Sequence, residues 1–375
     1  MTLTRGARIT GAVLCCVLAL MVAGWVVRDF RAVGEPLDLL RYWAGYADAR
    51  PDALPATSQS DLVLLVVYVF AATAALRSSV AASALVATGV VTLLFRLPGV
   101  WSIGAGWMDG RYADELRTRA LIGTFVALAA ALALLVTGAA GRGQSEDFYE
   151  PKPTRPGQGA SAVAFLALGA AGAVMIAWEI RQVFTYPAAL YPDWFVGGPG
   201  VRMELTAAPP GWTAATVALL CLVVAVSALV HAVHTRTLGV IVAGFVLTAG
   251  SCGIARAVHH RLPEHFAELG TELQLTLLSW CLLAVAGAAA LIALARRGFE
   301  DVPVGPQQGY GPAQYGYPPD GAAGPGYGYP QGGAPGQGPG YGYPQGGAPG
   351  QGPGYGYPQG GGSGPPPPSS PPPGW

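Results

Sequence analysis

A chain that returns again and again to uncharged apolar runs of about twenty residues has one good way to fold. Hydrocarbon leaves no backbone amide free to go unpaired, and a helix of that length is what crosses a bilayer. Six such runs stand out here, at residues 9–27, 120–140, 157–178, 212–233, 237–255 and 273–295. Two shorter ones, 62–76 and 80–95, flank Arg77 and stop before Arg96. An arginine at a helix end can reach the headgroups and complete a short span. The pattern therefore predicts an all-α membrane protein with about eight transmembrane helices, the second and third forming a tight hairpin. The first run is predicted to stay as a helix, because no small-x-small cleavage site precedes Arg28.

Charge supports a non-aqueous solvent. Asp, Glu, Lys and Arg make up 11% of the chain, against about 25% in soluble domains. Net charge is zero, so nothing draws the chain toward nucleic acid. The five cysteines, Cys15, Cys16, Cys221, Cys252 and Cys281, all sit in apolar runs without CxxC spacing. They read as small packing residues rather than a disulfide framework or zinc site.

The connections set the expected orientation. Arg77, Arg142, Lys152, Arg155 and Arg236 crowd the short ones, and the long ones, 28–61, 97–119, 179–211 and 256–272, carry basic residues more thinly. Positive-inside density then predicts a multi-pass cell membrane protein with both termini cytoplasmic. Most of the tryptophans, among them Trp25, Trp43, Trp101, Trp178, Trp194 and Trp212, fall in or beside the long connections. An aromatic belt at headgroup level accounts for such a distribution, and so does an exterior binding surface.

Long and short connections alternate in the same order in the two halves. Trp25 and Arg28 recur as Trp178 and Arg181, and Trp43 as Trp194. The Arg-Leu-Pro of Arg96 to Pro98 recurs at Arg261 to Pro263, and Glu115-Leu116 as Glu272-Leu273. Four helices is an even number, so two copies would enter the membrane the same way round, as parallel repeats. The predicted boundaries are residues 1–141 and 159–297 for the repeats, with a polar linker at 142–158. Small residues four apart, Gly123, Ala127 and Ala131 in one helix and Gly169, Ala173 and Ala177 in the next, are candidates for close helix contact.

From residue 298 the apolar periodicity stops. A 14-residue unit, GYGYPQGGAPGQGP, begins at Gly326, repeats from Gly340 and is truncated from Gly354. Such a Gly/Pro/Tyr/Gln composition buries too little apolar surface to offset chain entropy and predicts a disordered cytoplasmic tail. Its regular tyrosines and closing prolines suit docking by protein partners, and a plain spacer would read the same way. In composition and layout the whole chain resembles actinobacterial multipass membrane proteins with low-complexity cytoplasmic tails; the resemblance implies no functional residue.

Catalytic chemistry finds no foothold in these residues. His231 and His234 are expected one turn apart at the end of one helix, while His259, His260 and His265 lie at the opposite face, which disfavours a shared haem or metal. The run HHRLPEH spaces His260 and Glu264 one residue too far apart for a zinc-protease pattern, and Pro263 breaks its helix. Lys152 is the only lysine, which argues against a Walker loop or Schiff base. No cofactor is implied and an enzyme is the weakest reading. No Asp or Glu falls inside an apolar run, but arginine recurs at the outer helix ends: Arg28 with Arg181, and Arg96 with Arg256 or Arg261. Two functions remain. One is a membrane scaffold or envelope-associated interaction protein that recruits partners through its tail. The other is a parallel-repeat transporter or exterior-facing binder of a small anionic ligand or lipid, contacted by Arg28, Arg181, Arg96 and Arg256.

Overall fold

The computed structural model describes residues 2–47, 54–143, 154–296 and 299–300. Of the predicted tail, 298–375, all but residues 299–300 lies outside the described residues, as does the middle of the linker with Lys152. Among the described residues eleven α-helices follow one another: α1 (Arg5–Val33), α2 (Pro36–Ala44), α3 (Gln59–Arg77), α4 (Ala81–Arg96), α5 (Gly99–Ser102), α6 (Asp114–Ala140), α7 (Gln158–Thr185), α8 (Tyr191–Val196), α9 (Pro210–Leu229), α10 (His234–His259) and α11 (Thr271–Ala295). Among the described residues eight spans are long and apolar enough to cross a membrane, with α4 and α5 counted as one span. The chain is an all-α, multi-pass integral membrane protein.

The helices outrun the apolar runs that predict them. Thr4 caps α1, its hydroxyl accepting from the Ala7 N–H at 3.4 Å, and α1 continues past Val27 to Val33. It thereby carries Asp29 inside a spanning helix. Asp61 likewise lies on α3, in its first turn, where Ser58 and Asp61 form a reciprocal capping box.

One helix falls short of its run. The sequence extends the sixth span to residue 233, but α9 ends at Leu229. His231 adopts a left-handed φ of 50°. The His231 N–H donates to the Ala228 carbonyl at 3.1 Å and the Ala232 N–H to the Ser227 carbonyl at 3.0 Å, the pair of bonds that closes a helix end. The two histidines thus part company. His231 sits in the turn, and His234 opens α10 with its Nε2 2.9 Å from Ser227 Oγ.

Each set of four spans closes into a ring. In the first, α1 packs on α3, α3 on α4, α4 on α6, and α6 back on α1; in the second, α7 packs on α9, α9 on α10, α10 on α11, and α11 back on α7. Across the sets α4 meets α10, α3 meets α10 and α4 meets α9. Phe95 of α4 and Phe245 of α10 stack at this junction with ring centroids 4.5 Å apart. Leu20, Phe70, Val136, Leu166 and Val285 face outward and exposed, as side chains solvated by lipid would.

Small residues set how close the spans come. On α6, Ala127 and Ala131 are buried as the spacing predicts. On α7 the predicted stripe faces out at Ala173 and Ala177; Ala164, Leu168, Ala171 and Gly172 make the contact instead. The stripe there is the wrong strip of the cylinder, because an alanine-rich helix offers small residues on every face. The tightest approach joins α10 to α11, where a Cβ at Gly250 would collide with the Ala284 backbone and one at Gly287 with Leu247.

Two-residue antiparallel pairings, Thr2–Leu3 with Arg142–Gly143 and Thr154–Arg155 with Phe299–Glu300, gather the start of α1, the α6–α7 connection and the end of α11 at one face. We call this the terminal face. The long connections lie at the other, the loop face.

Candidate functional site

Hydrophobic spans leave few places for charge, and the loop face concentrates it. Asp29 and Asp61 are buried, as is Arg96 at the end of α4. One oxygen of Asp29 accepts from the Ala56 N–H at 2.9 Å and the Thr57 N–H at 2.7 Å and from the Thr57 hydroxyl; the other accepts from Arg28 at 2.7 Å. Arg96 meets Asp61 at 2.6 Å. Thr206, from the long connection of the second set, joins them: its carbonyl accepts from Arg96 at 2.8 Å and its hydroxyl reaches Asp61 at 3.1 Å and the Ala56 carbonyl at 2.9 Å. A buried ion pair is tolerable only when its remaining lone pairs and protons are answered, and here they are. Arg96 therefore turns inward to an acid rather than outward to headgroups as a snorkelling arginine would.

This knot pins the segment around Met203, Leu205 and Thr206 onto the first set. Met203 and Leu205 are buried with Ile103, Met108 and Tyr112, and Arg111 donates to the Pro199 carbonyl at 3.3 Å. Trp212 adds a bond from its indole N–H to the Leu94 carbonyl at 2.7 Å. The α4–α9 side of the junction is thus fastened.

The α3–α10 side is held differently, by Arg256 of α10 on the Ala44 carbonyl. A cavity of about 540 Å³ opens there at the loop face, lined by both sets: Tyr42 and Trp43 of α2, Gln59 and Val63 of α3, Thr213 and Val217 of α9, Phe245, Thr248 and Arg256 of α10, and Arg202 and Glu204 of the connection between α8 and α9. Gly45 ends α2 with φ 81°, and a Cβ there would press on the Arg256 guanidinium at 2.6 Å. Without one, Arg256 donates twice to the Ala44 carbonyl, at 3.1 and 3.0 Å, a cation at a helix C-terminus. It also lies over the Trp280 ring, 5.4 Å from the centroid. Arg256 retains further N–H donors beyond those two bonds.

The other polar groups are less fully engaged. Arg202 lies over Tyr42, 4.7 Å from the ring centroid. Among the described residues no salt bridge reaches Glu204, and the buried Gln59 Oε1 has no hydrogen-bond partner. Burial pushes the Glu204 carboxyl above the usual carboxylate range; its own backbone N–H and Arg202 draw it down, and Asp61 and Asp29 push it up. The Tyr42 phenol is raised as well, by burial first and then by the Glu204 charge.

Of the four arginines that the sequence singles out, Arg256 lines the cavity. Arg28 and Arg96 belong to the knot beside it. Arg181 stands apart, bridged to Glu272 at 2.7 Å and over the Trp178 ring. Glu204, Arg202 and Gln59 escape a reading of the sequence, since a loop acid and a loop arginine two residues apart carry no motif. The Asp61 position did carry a signal, because Ser58-x-x-Asp61 before an apolar run is a capping-box pattern.

Eight apolar spans in two closed rings, with a polar cavity between them, define a multipass α-helical integral membrane protein. The chain matches no protein family, no curated protein and no solved structure.

Proposed function

We propose that this protein binds a small anionic ligand or a lipid headgroup in the cavity between two parallel four-helix repeats, residues 1–141 and 159–297, in the cell membrane. One observation carries the reading: cations and acceptors from both sets, Arg256, Arg202, Glu204 and Gln59, line one loop-face cavity. An ionisable group within an apolar bundle is costly and is usually kept for binding. Arg256 supplies the anion contact, while Arg28 and Arg96 hold the rim through Asp29 and Asp61. The repeat is supported by the identical circuit of contacts in each set and by their exchange across the junction, α3 on α10 answered by α4 on α9. The thin scatter of basic residues in the long connections supports an exterior loop face, with the terminal face cytoplasmic.

Native mass spectrometry of the full-length protein, released gently from its membrane, tests the binding reading. The expected result is a stoichiometric non-protein mass that falls about tenfold in occupancy in Arg202→Gln and Arg256→Gln. Bare protein in wild type sinks it. A second reading, favoured by the repeated tyrosine unit from Gly326, has the tail recruiting protein partners at the cytoplasmic side. Deletion of residues 301–375 should then erase at least one crosslinked partner and leave the bound ligand in place; an unchanged crosslinking profile counts against it.

A further inference from the structure

The cavity has an apolar neighbour along the same seam. Val63, in the first turns of α3, lines it and also lines a second hollow of about 440 Å³ that follows the α3–α10 seam toward the terminal face. The walls of that hollow are apolar, with Val66, Phe70 and Ala74 on α3 opposite Val240, Ile241 and Gly244 on α10. From Val63 to Ala74 the helix rises about 17 Å, close to the hydrocarbon depth of one leaflet, about 15 Å. Gly244 keeps the seam open: a Cβ there would stand 3.7 Å from Val63, and any larger side chain would occupy the hollow. A chamber with polar groups beside an apolar groove of about acyl-chain length suits a lipid better than a free ion.

The chamber also distinguishes among heads. Arg256 and Arg202 offer donors for a phosphate. Among the described residues no salt bridge reaches Glu204, which lines the same chamber and offers a carboxylate for a cation. An anion alone would add nothing for that carboxylate. A head bearing phosphate and ammonium together suits the arginines and Glu204 at once.

Resting on the ligand-binding reading above, we propose that the occupant is an aminophospholipid of the phosphatidylethanolamine type. Its phosphate lies at Arg256 and Arg202, its ammonium at Glu204, and one acyl chain in the α3–α10 groove. The lipid enters sideways from the bilayer along this seam, the one at which the sets are not fastened by Thr206 and Trp212.

The test places the full-length protein in nanodiscs of equal phosphatidylethanolamine and phosphatidylglycerol and reads the retained lipid by native mass spectrometry. One phosphatidylethanolamine per chain is expected, enriched about tenfold over phosphatidylglycerol. Glu204→Gln should bring retained phosphatidylethanolamine down to the phosphatidylglycerol level. Gly244→Leu should cut retention about tenfold, while glycerophosphoethanolamine, the head without chains, binds it as it binds wild type. Val66→Trp fills the groove from the opposite wall and should act alike, which guards against a fold defect in one variant. If the chainless head binds but neither groove variant affects the lipid, the groove assignment is overturned and the cavity reading stands. Binding of neither head nor lipid overturns both. Retention that depends on Arg236, at the far end of the groove, and not on Glu204 gives the groove to a lipid of the opposite leaflet and overturns the proposal.

Discussion

A carboxylate without exposed surface must have its lone pairs answered, and Asp29 and Asp61 show how few residues that takes. Asp29 uses two backbone N–H groups, one hydroxyl and one guanidinium, and Asp61 uses Arg96 with Ser58 and Thr206. The Asp61–Arg96 pair is neutral as a unit, so its two halves behave differently when removed. Asp61→Asn leaves a buried guanidinium without a counter-charge and should cost about 3–5 kcal/mol. The double variant Asp61→Asn with Arg96→Met removes both charges and should unfold closer to wild type than Asp61→Asn does, as measured by thermal melting in detergent. Additive losses would show that the two charges do not act as a pair. Beyond the capping-box spacing of Ser58 and Asp61, little of this was legible in the sequence, because Arg96 reads equally well as a snorkelling helix end and Thr206 is a neutral loop residue with no pattern around it. What decides its role is the packing of α3 on α4 and the path of the connection before α9.

The helices themselves were far more legible than their ends. A bilayer demands about twenty apolar residues of a helix, and each predicted run falls on a spanning helix because at that length a helix pairs every backbone group within its own segment. Hydropathy ends at the headgroups, however, and hydrogen bonding does not. α1 therefore runs on through Asp29, whereas α9 stops early at a left-handed His231, an event with no hydropathic trace. Contact faces were legible where one face alone was small, as on α6, and illegible on α7, where every face is. The α10–α11 contact depends on absent side chains, and Gly250 is its sharpest case. Gly250→Val should force the two helices apart and cost about 1–3 kcal/mol or more, read as a lower melting temperature. Gly244→Ala, facing the open seam where a Cβ meets Val63 at an ordinary 3.7 Å, should leave it nearly unchanged. Equal losses would mean that the α10–α11 approach is not specially tight.

At the scale of the whole molecule the two rings meet through Phe95 and Phe245, through Trp212 on Leu94, and through the segment around Thr206. Contacts of that kind do not require a continuous chain. Residues 1–143 and 154–375, made as two polypeptides in one cell, should co-purify through a tag on either, and Thr206→Val should lower the yield by removing a hydroxyl bonded to Asp61 and the Ala56 carbonyl, worth about 1–2 kcal/mol. Failure to co-purify would mean that the linker, not the junction, holds the rings together. The knot also has a bearing on how the protein is made. Arg28 answers Asp29 and Arg96 answers Asp61 within the first ring, and the later segment adds a hydroxyl and a carbonyl but no charge. A ribosome that has delivered the first four spans has thus released both charge pairs of the knot already matched, and the bond from Arg96 to the Thr206 carbonyl is what still waits. Birth order and charge order coincide: the first ring pairs its own buried charges, and the second arrives to complete the chamber.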